Sequence, residues 1–375
     1  MNMLDGMDVL IISYAAPAIA KAWSISPANL GIVFSSGLVG MTVGAIFLAP
    51  FADRIGRKST MLIAGLLMAT CIYATSYATD VNLLMIFRFI SGLGIGAMMA
   101  TTAALTAENS AVSTRNFWVS TVVAGYPVGA VLSGLIAATV IKTSGWEHLF
   151  ELAGFATFLS LPLVGLFIKE SFAASQSAEE KPSVQILVKE PYRISTFQLW
   201  AALFLAFATL YFMLNWIPKL ATNAGLSMSA AIYAGTVFNL GAIVGIPMQG
   251  YCSSRFGLKK TIGTILLFTA VTMLSFGFFV HSPYVLVIFF LMGFGVQGGF
   301  VGLYAVAASM YPTYIRTTGV GWAIGAGRLG GIIGPILGGL LVACGLDMTQ
   351  SFWVFAIPSA LAGFMTFRIS SKDIS

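Results

Sequence analysis

Twelve stretches of apolar residues, each long enough to cross a lipid bilayer as a helix, follow one another along this chain. A membrane-spanning helix needs about 20 predominantly apolar residues. The pattern predicts spans at 1–22, 29–51, 58–79, 82–106, 116–141, 148–168, 196–218, 229–251, 259–280, 284–309, 316–343 and 349–368. Because the connecting segments are short, neighbouring helices are expected to run antiparallel.

One longer polar segment, 169–195, follows the sixth span and divides the chain into six spans and six. The predicted fold is an all-α integral membrane protein with twelve transmembrane helices in two pseudo-symmetric six-helix bundles. The predicted domains are an N-terminal bundle at 1–168, a cytoplasmic central loop at 169–195 and a C-terminal bundle at 196–375.

The composition excludes several other classes of protein. Hydrophobic residues make up 58% of the chain and charged residues only 9%, whereas a soluble domain carries about a quarter charged residues. The net charge of +6 is spread over short loops, so nucleic acid is not expected as a partner. Cys71, Cys252 and Cys344 are far apart and lack metal-ligand spacing. With no nucleophile–histidine arrangement either, the sequence predicts no metal site, no cofactor and no enzyme activity.

Lysine and arginine concentrate in alternate loops, and this bias predicts the orientation of the chain. The richer set of loops, together with the C-terminus, holds 14 basic residues: Arg54, Arg57, Lys58, Arg115, Lys169, Lys181, Lys189, Arg193, Arg255, Lys259, Lys260, Arg316, Arg368 and Lys372. The opposite loops hold only Lys21, Lys142 and Lys219. Since basic loops stay on the inner side, both termini are predicted to be cytoplasmic.

The two halves of the chain repeat a charged loop. Ala52-Asp53-Arg54-Ile55-Gly56-Arg57-Lys58 follows the second span, and Ser253-Ser254-Arg255-Phe256-Gly257-Leu258-Lys259-Lys260 follows the eighth, which is the second span of the second half. A parallel repeat of this kind indicates two bundles around a binding site near the bilayer midplane.

The repeated loop and the six-plus-six layout resemble the major facilitator superfamily over essentially the whole chain. Within it, Leu4-Asp5-Gly6-Met7-Asp8 is similar to the D-G-x-D signature of the aromatic acid/proton symporter family. Residues 88–96, Glu108 with Arg115, and residues 311–319 followed by Gly327-Arg328 support this resemblance. It implies a proton-coupled importer of small, aromatic carboxylates in a bacterial inner membrane, working by alternating access.

Asp5 and Asp8 are the candidate proton-coupling residues. Three residues apart, they fall on one face of the first helix. An ionisable side chain inside a bilayer costs roughly 3 kcal/mol or more unless it faces protein or water. If the helix begins at Met1, Asp5 lies in the first turn, where a carboxylate merely complements the helix dipole. The resembled family has a longer N-terminal segment, with which both aspartates would lie deeper.

Arg88 and Arg328 are the candidate substrate-binding residues. Arg88 lies six residues into the fourth span, roughly 9 Å from its predicted outer end, and snorkelling to the headgroups is the alternative. Arg328 lies about twelve residues into the eleventh span, among glycines that would leave room for a ligand. A guanidinium there cannot be deprotonated and needs an anionic partner. A structural ion pair is the alternative for Arg328.

A set of charged residues at predicted cytoplasmic helix ends forms a candidate gating network: Asp53, Arg54, Arg57, Glu108, Arg115 and Arg316. The family pattern implies that Asp53 and Arg57 latch one conformation by charge pairing. Positive-inside topology, or simple solvation of Glu108 and Arg115, is the alternative. Ser254 replaces the usual aspartate in the second copy, which weakens the case for a second latch.

The predicted partners are a small organic anion, protons and the lipid bilayer, and no obligate protein partner is evident. Some aromatic residues could stack on an aromatic substrate: Tyr211, Trp216, Phe238, Tyr304 and Trp322. Gly334-Pro335-Ile336-Leu337-Gly338-Gly339 is similar to a motif of drug/proton antiporters, although it lies in the eleventh span rather than the fifth. An exporter of the same fold and a non-transporting receptor are therefore the alternative functions.

Overall fold

The computed structural model describes residues 1–111, 118, 121, 122, 124–168, 170, 184–280 and 282–369. Within its helices and helical turns, the side chains of residues 53, 107, 184, 313, 314 and 317 lie outside this description.

The described part of the chain contains twelve helical spans that are long and apolar enough to cross a membrane, and the second of them, Pro27–Phe51, includes the irregular turns described below. They are α1 (Asn2–Ala22), α2 (Pro27–Val43), α3 (Arg57–Thr75), α4 (Val81–Glu108), α5 (Gly125–Ser144), α6 (Trp146–Phe167), α7 (Arg193–Asn223), α8 (Met228–Phe256), α9 (Leu258–Phe279), α10 (Val285–Met310), α11 (Thr313–Ala343) and α12 (Met348–Arg368). The predicted all-α membrane fold is confirmed.

Proline affects two of these helices differently. After α2 the chain continues through a π turn at Gly44–Leu48, a 3₁₀ turn at Ala49–Phe51 and a short helix at Ala52–Ile55. Pro50 has no amide hydrogen, so the regular ladder cannot pass through it. Pro218, by contrast, lies inside α7, which runs to Asn223 and beyond the end predicted at residue 218. Membrane helices tolerate such a proline because neighbouring groups satisfy the freed carbonyl.

Turns of left-handed backbone conformation recur at matching positions in the two halves. The φ angles of +50° at Ser24, +97° at Gly56 and +91° at Gly145 have counterparts of +92° at Gly225, +91° at Gly257 and +86° at Gly345. Glycine adopts this conformation at no steric cost. The repeat seen in the charged loops therefore extends to the turns that end the helices.

Close helix pairs in the first half are built on glycine. A Cβ atom on Gly6 of α1 would overlap the backbone carbonyl of Tyr126 on α5, and one on Gly40 of α2 would overlap that of Phe89 on α4. A Cβ on Gly154 of α6 would lie 2.7 Å from the backbone of Tyr73 on α3. Small residues let membrane helices approach until their backbones touch.

The second half pairs its helices in the same order, six spans later. Gly330 of α11 meets the backbone of Phe204 on α7, and Gly241 of α8 meets that of Phe290 on α10. Gly263 of α9 packs on the ring of Phe367 from α12. The pairs α1–α5, α2–α4 and α3–α6 thus recur as α7–α11, α8–α10 and α9–α12.

The chain forms two compact units. The first comprises residues 1–176 and 217–236, and the second comprises 177–216 and 237–375. The α7–α8 hairpin tip therefore packs with the first unit, where the ring of Tyr14 approaches the backbone position of Gly235. The predicted boundaries at residues 168 and 196 stay a prediction.

Candidate functional site

An ion pair between Asp8 and Arg88 lies in the interior of the first unit. Nη1 of Arg88 donates a hydrogen bond of 2.7 Å to Oδ1 of Asp8, and the two side chains are only 4% and 2% exposed. Arg88 lies seven residues after Val81, the start of α4, which is about 10 Å along the helix axis. The guanidinium is held by the carboxylate and does not extend along the helix to the surface.

Two further helices surround Arg88. Its Nη2 donates a 3.2 Å hydrogen bond to the hydroxyl of Thr75 on α3, and that hydroxyl donates 2.7 Å to the carbonyl of Cys71. The ring of Phe150 on α6 lies 5.2 Å from Cζ, within the range of a cation–π contact. Among the described residues, Nε of Arg88 has no hydrogen-bond partner. Arg88 is therefore fixed by α1, α3 and α6, while its Nε–H donates to none of the described residues.

Asp5, one turn before Asp8 on α1, is fully buried. Neither of its carboxyl oxygens accepts a hydrogen bond from any residue that the structure describes. Burying a carboxylate without donors is expensive, so this group is poorly compensated by its surroundings.

Gly6, the glycine of the D-G-M-D segment, allows α1 to pack closely against α5. Gly6 lies where α1 crosses the backbone of Tyr126 on α5, and any larger side chain would separate the helices. Close by, Nδ2 of Asn2 donates 3.0 Å to the carbonyl of Val122. The contact with α5 therefore fixes the helix that carries both aspartates.

Arg328 lies in the second unit, at the midpoint of α11. Beside it on α11, Gly327 lies against the ring of Phe207 and Gly331 against that of Tyr211, both on α7. Gly321 and Gly325 lie on the same helical face as Arg328, and Cβ atoms on either glycine would meet nothing within 4 Å. Open space therefore adjoins the face of α11 that carries the guanidinium.

A cluster of aromatic rings lies beside Arg328. The ring of Phe207 is 4.6 Å from that of Phe300 and 6.0 Å from that of Tyr211, and Phe300 is 5.1 Å from Tyr304. Phe207 and Phe300 were not singled out from the sequence, because an aromatic residue in a membrane helix carries no distinctive signal. Of the five aromatics proposed as stacking partners, Tyr211 and Tyr304 lie near Arg328.

The remaining three of those aromatics pack elsewhere. Trp216 donates 2.9 Å to the carbonyl of Pro335, Phe238 is fully buried, and Trp322 stacks on Trp200 at 6.1 Å. The contact with Pro335, together with Gly334 against the backbone of Ala208, shows that the G-P-x-x-G-G segment packs α11 on α7.

Arg328 has no acidic counterpart in its own half of the membrane domain. The sequences of α7 to α12 contain no aspartate and no glutamate. Within the part of the chain that the structure describes, no side chain forms an ion pair with Arg328. A charged guanidinium at the centre of a membrane helix therefore lacks a carboxylate from the surrounding bundle.

Arg57 and Glu108, two of the candidate gating residues, form an ion pair. Nη2 of Arg57 lies 2.9 Å from Oε1 of Glu108, with side chains 12% and 37% exposed. Arg57 begins α3 and Glu108 ends α4, so the pair joins two helix ends on the predicted cytoplasmic side.

Glu170 also belongs to this region, and sequence reasoning missed it. Its carboxylate accepts hydrogen bonds from the amides of Lys58 and Ser59, at 2.9 and 3.2 Å, and from the Ser59 hydroxyl at 2.6 Å. An anion at a helix N-terminus satisfies free amides and complements the helix dipole. Its place three residues after α6, in the central loop, is a weak sequence signal.

In the second unit, the start of the corresponding helix, α9, is bound through a lysine instead of by a carboxylate. Nζ of Lys259, at the start of α9, donates 2.8 Å to the carbonyl of Ile369, which directly follows α12. In each unit the start of the third helix is thus bound to the segment after the sixth.

The other candidate gating residues are not brought into this ion pair. Arg54 is exposed, and the structure gives it no ion pair within the described residues. Nε of Arg316 donates 3.2 Å to the carbonyl of Tyr311 in the second unit. The side chain of Asp53 and the whole of Arg115 lie outside the described residues.

Comparison with known proteins identifies the family. The family model of the Major Facilitator Superfamily matches residues 1–249 and 199–374. This chain belongs to the Major Facilitator Superfamily. The solved structure of a D-xylose-proton symporter shares the fold, with a TM-score of 0.80 and 18% identity over 98% of this chain and 95% of that one. As a major facilitator, the protein is a multi-pass membrane transporter and not an enzyme.

Curated relatives within the superfamily carry aromatic acids. The 4-hydroxybenzoate transporter PcaK of Pseudomonas putida is 30% identical, covering 96% of this chain and 88% of PcaK. The gentisate transporter of Corynebacterium glutamicum is 28% identical, covering 98% of this chain and 85% of that protein. The resemblance of this major facilitator to the aromatic acid/proton symporter family is confirmed.

Proposed function

We propose that this protein is a symporter that imports small aromatic carboxylates together with protons, by alternating access. The observation that carries the proposal is Arg328, a cation at the midpoint of α11 whose half of the membrane domain holds no acid in its six spans. A ligand from solution would supply the missing negative charge. The names of the relatives indicate which ligand class this is.

The surroundings of Arg328 suit an aromatic carboxylate. Simple carboxyl groups have pKa values near 4, so such a substrate is an anion at neutral pH. The planar guanidinium can donate two parallel hydrogen bonds to a carboxylate. Tyr211, Phe300 and Tyr304 are partly exposed, pack around the buried ring of Phe207, and offer edge or face contacts to an aromatic ring.

The Asp8–Arg88 pair supports proton coupling. As an ion pair it has no net charge, and a proton on Asp8 would leave the buried guanidinium of Arg88 uncompensated. The donors freed on Arg88, together with its Nε–H, would then favour binding of an anion beside Arg88 in the interior of the first unit. Binding of a proton and binding of a carboxylate therefore each lower the cost of the other. Asp5 lies one turn from Asp8, accepts no hydrogen bond from the described residues, and is the second acceptor for a proton.

The charge balance limits how transport can be driven. One proton carried with one monoanion moves no net charge across the membrane. A second proton, for which Asp5 provides a place, would add about 2.3 kcal/mol of drive per 100 mV of membrane potential. Both termini are proposed to be cytoplasmic, and the membrane is proposed to be a bacterial inner membrane.

Uptake by purified protein in liposomes tests this function. Labelled 4-hydroxybenzoate is offered outside, with an inward proton gradient or with equal pH on both sides. We expect accumulation above the outside concentration only when the gradient is present. Gradient-driven expulsion of cationic drugs would instead indicate an exporter, and binding without flux would indicate a receptor. Either result would overturn the proposal.

A further inference from the structure

A second cationic feature is a cavity at the predicted outer end of the first unit. The cavity has a volume of about 630 Å³ and lies between the ends of α1 and α5 and the start of α8. This volume is in the range of small-molecule sites, about 300–1,000 Å³. All of its lining residues belong to the first unit.

Two lysines line this cavity. Lys21 is in the last turn of α1 and Lys142 in the last turn of α5. With Lys219 they are the only three basic residues predicted for this side of the membrane, against 14 on the other side. The lining contains no acidic side chain, and within the described residues neither lysine forms an ion pair.

The rest of the lining is apolar with a polar edge. Ile141, Ala22 and Met228 supply apolar surface, and Ser227 and Ser229 supply hydroxyl groups. Oγ of Ser229 donates 3.4 Å to the carbonyl of Ala138 on α5, which keeps the start of α8 beside Lys142. The cavity therefore combines two positive charges with an apolar wall.

We propose that this cavity is an entry site that captures the organic anion before it reaches the central site. An aromatic carboxylate fits its chemistry, because the carboxylate meets Lys21 and Lys142 while the ring lies against Ile141 and Met228. A concave site lined by one sign of charge raises the local concentration of the oppositely charged substrate. The site rests on the proposed function, since its ligand is the anion transported.

Each lysine also lies at a helix C-terminus, where a cation complements the helix dipole. That role would persist for any substrate and would not respond to the anion. Only capture of the anion makes substrate affinity depend on the two lysines and on salt concentration. Salt matters because exposed charges are screened over about 8–10 Å at physiological ionic strength.

Uptake kinetics of Lys21→Gln, Lys142→Gln and the double variant test the site. In vesicles of phosphatidylcholine, we expect KM for 4-hydroxybenzoate to rise about threefold for each lysine removed, with kcat unchanged. The wild-type KM should also rise with salt, and the double variant should lose most of that dependence. Lys219→Gln is the matched control, because Lys219 does not line the cavity, and its KM should stay at the wild-type value.

The same vesicles separate a lipid phosphate from the transported carboxylate. If the lysine variants alter uptake only when anionic phosphatidylglycerol is present, the cavity holds a lipid headgroup and the proposal is wrong. An unchanged KM in the double variant would also overturn it.

Thiol labelling tests the cavity without transport. In a background with Cys71, Cys252 and Cys344 replaced by serine, Ala22→Cys introduces one thiol into the exposed lining. An anionic methanethiosulfonate reagent should react faster than a cationic one, and 4-hydroxybenzoate should slow it. Both effects should disappear when Lys21 and Lys142 are glutamine. Equal rates for the two reagents would refute the site even if aromatic acids are transported, and an absence of transport with intact charge selectivity would refute only the proposed function.

Discussion

Two arginines lie within membrane-spanning helices, and their permanent charges are compensated in different ways. Arg88 is neutralised within the chain, by Asp8 at 2.7 Å and by the Thr75 hydroxyl. Arg328 lies beside tyrosines, in six spans that contain no acid. A cation in a membrane helix that has no acid in its own six spans favours an anionic ligand, whereas Arg88 can bind such a ligand only after Asp8 is protonated.

Replacing Asp8 by asparagine should separate coupling from binding. Asp8→Asn keeps the shape of the side chain but can neither take up a proton nor neutralise Arg88. We expect accumulation of 4-hydroxybenzoate against its gradient to be lost, while exchange of labelled for unlabelled substrate across the vesicle membrane continues. Exchange by the same variant serves as the control for folding, and undiminished accumulation would remove Asp8 from the coupling step.

Arg328→Lys should weaken substrate binding although it keeps the positive charge. Lysine cannot offer the planar pair of donors, and losing a hydrogen bond to a charged group costs about 1.5–3 kcal/mol. We expect the apparent affinity for 4-hydroxybenzoate to fall about 10- to 100-fold. Arg255→Lys, a change at an exposed arginine of the second loop copy, is the control. Wild-type affinity in Arg328→Lys would exclude direct carboxylate recognition there.

At the scale of helices, backbone contact through glycine determines which helices pair. The α1–α5 and α7–α11 pairs meet where Gly6 and Gly330 face a neighbouring backbone carbonyl. The first pair fixes the aspartates of α1, and the second places Arg328 next to the rings of α7. Helix packing and site geometry are therefore set by the same small residues.

Gly330→Ala should destabilise the protein more than Gly321→Ala. A methyl group at residue 330 would overlap the carbonyl of Phe204, whereas one at residue 321 would meet nothing within 4 Å. Overpacking of this kind costs about 1–3 kcal/mol. Thermal unfolding in detergent should show a lower midpoint for Gly330→Ala and little change for Gly321→Ala. Equal midpoints would show that α11 can shift away from α7 at little cost.

At the scale of the whole molecule, the internal repeat organises the fold while the chemistry is not repeated. Helix pairs and left-handed turns recur about 200 residues apart. The acid–arginine pair belongs to the first unit, and Arg328, which has no ion pair among the described residues, belongs to the second. The internal repeat of the helices therefore does not extend to the charged residues within the spans.

The orientation of the whole chain can be tested with its native cysteines. Cys344 is exposed after α11 on the predicted outer side, and Cys252 lies near the predicted cytoplasmic end of α8. With single-cysteine variants in intact cells, a membrane-impermeant maleimide should label Cys344 and should label Cys252 only after permeabilisation. The reverse pattern would show that the chain is inserted with its termini outside.

The twelve spans, their number in each half and the repeated loop could be read from the sequence, because hydropathy and local motifs act over short stretches of chain. Helix ends at prolines were less predictable: Pro218 did not end α7, since neighbouring groups in the membrane can satisfy the freed backbone. The sequence also singled out Asp8, Arg88, Arg57 and Glu108, because charges in or beside apolar spans are rare.

Tertiary structure alone decided which of these charges meet. Asp8 and Arg88 are 80 residues apart, and Glu170 binds the start of α3 from 111 or 112 residues away. Such contacts depend on which helices approach and at what rotation, and that is set by packing of many small residues at once. The sequence therefore determined which charged residues lie in or beside apolar spans, where burying a charge costs free energy. The packed bundle determined which of those charges neutralise one another.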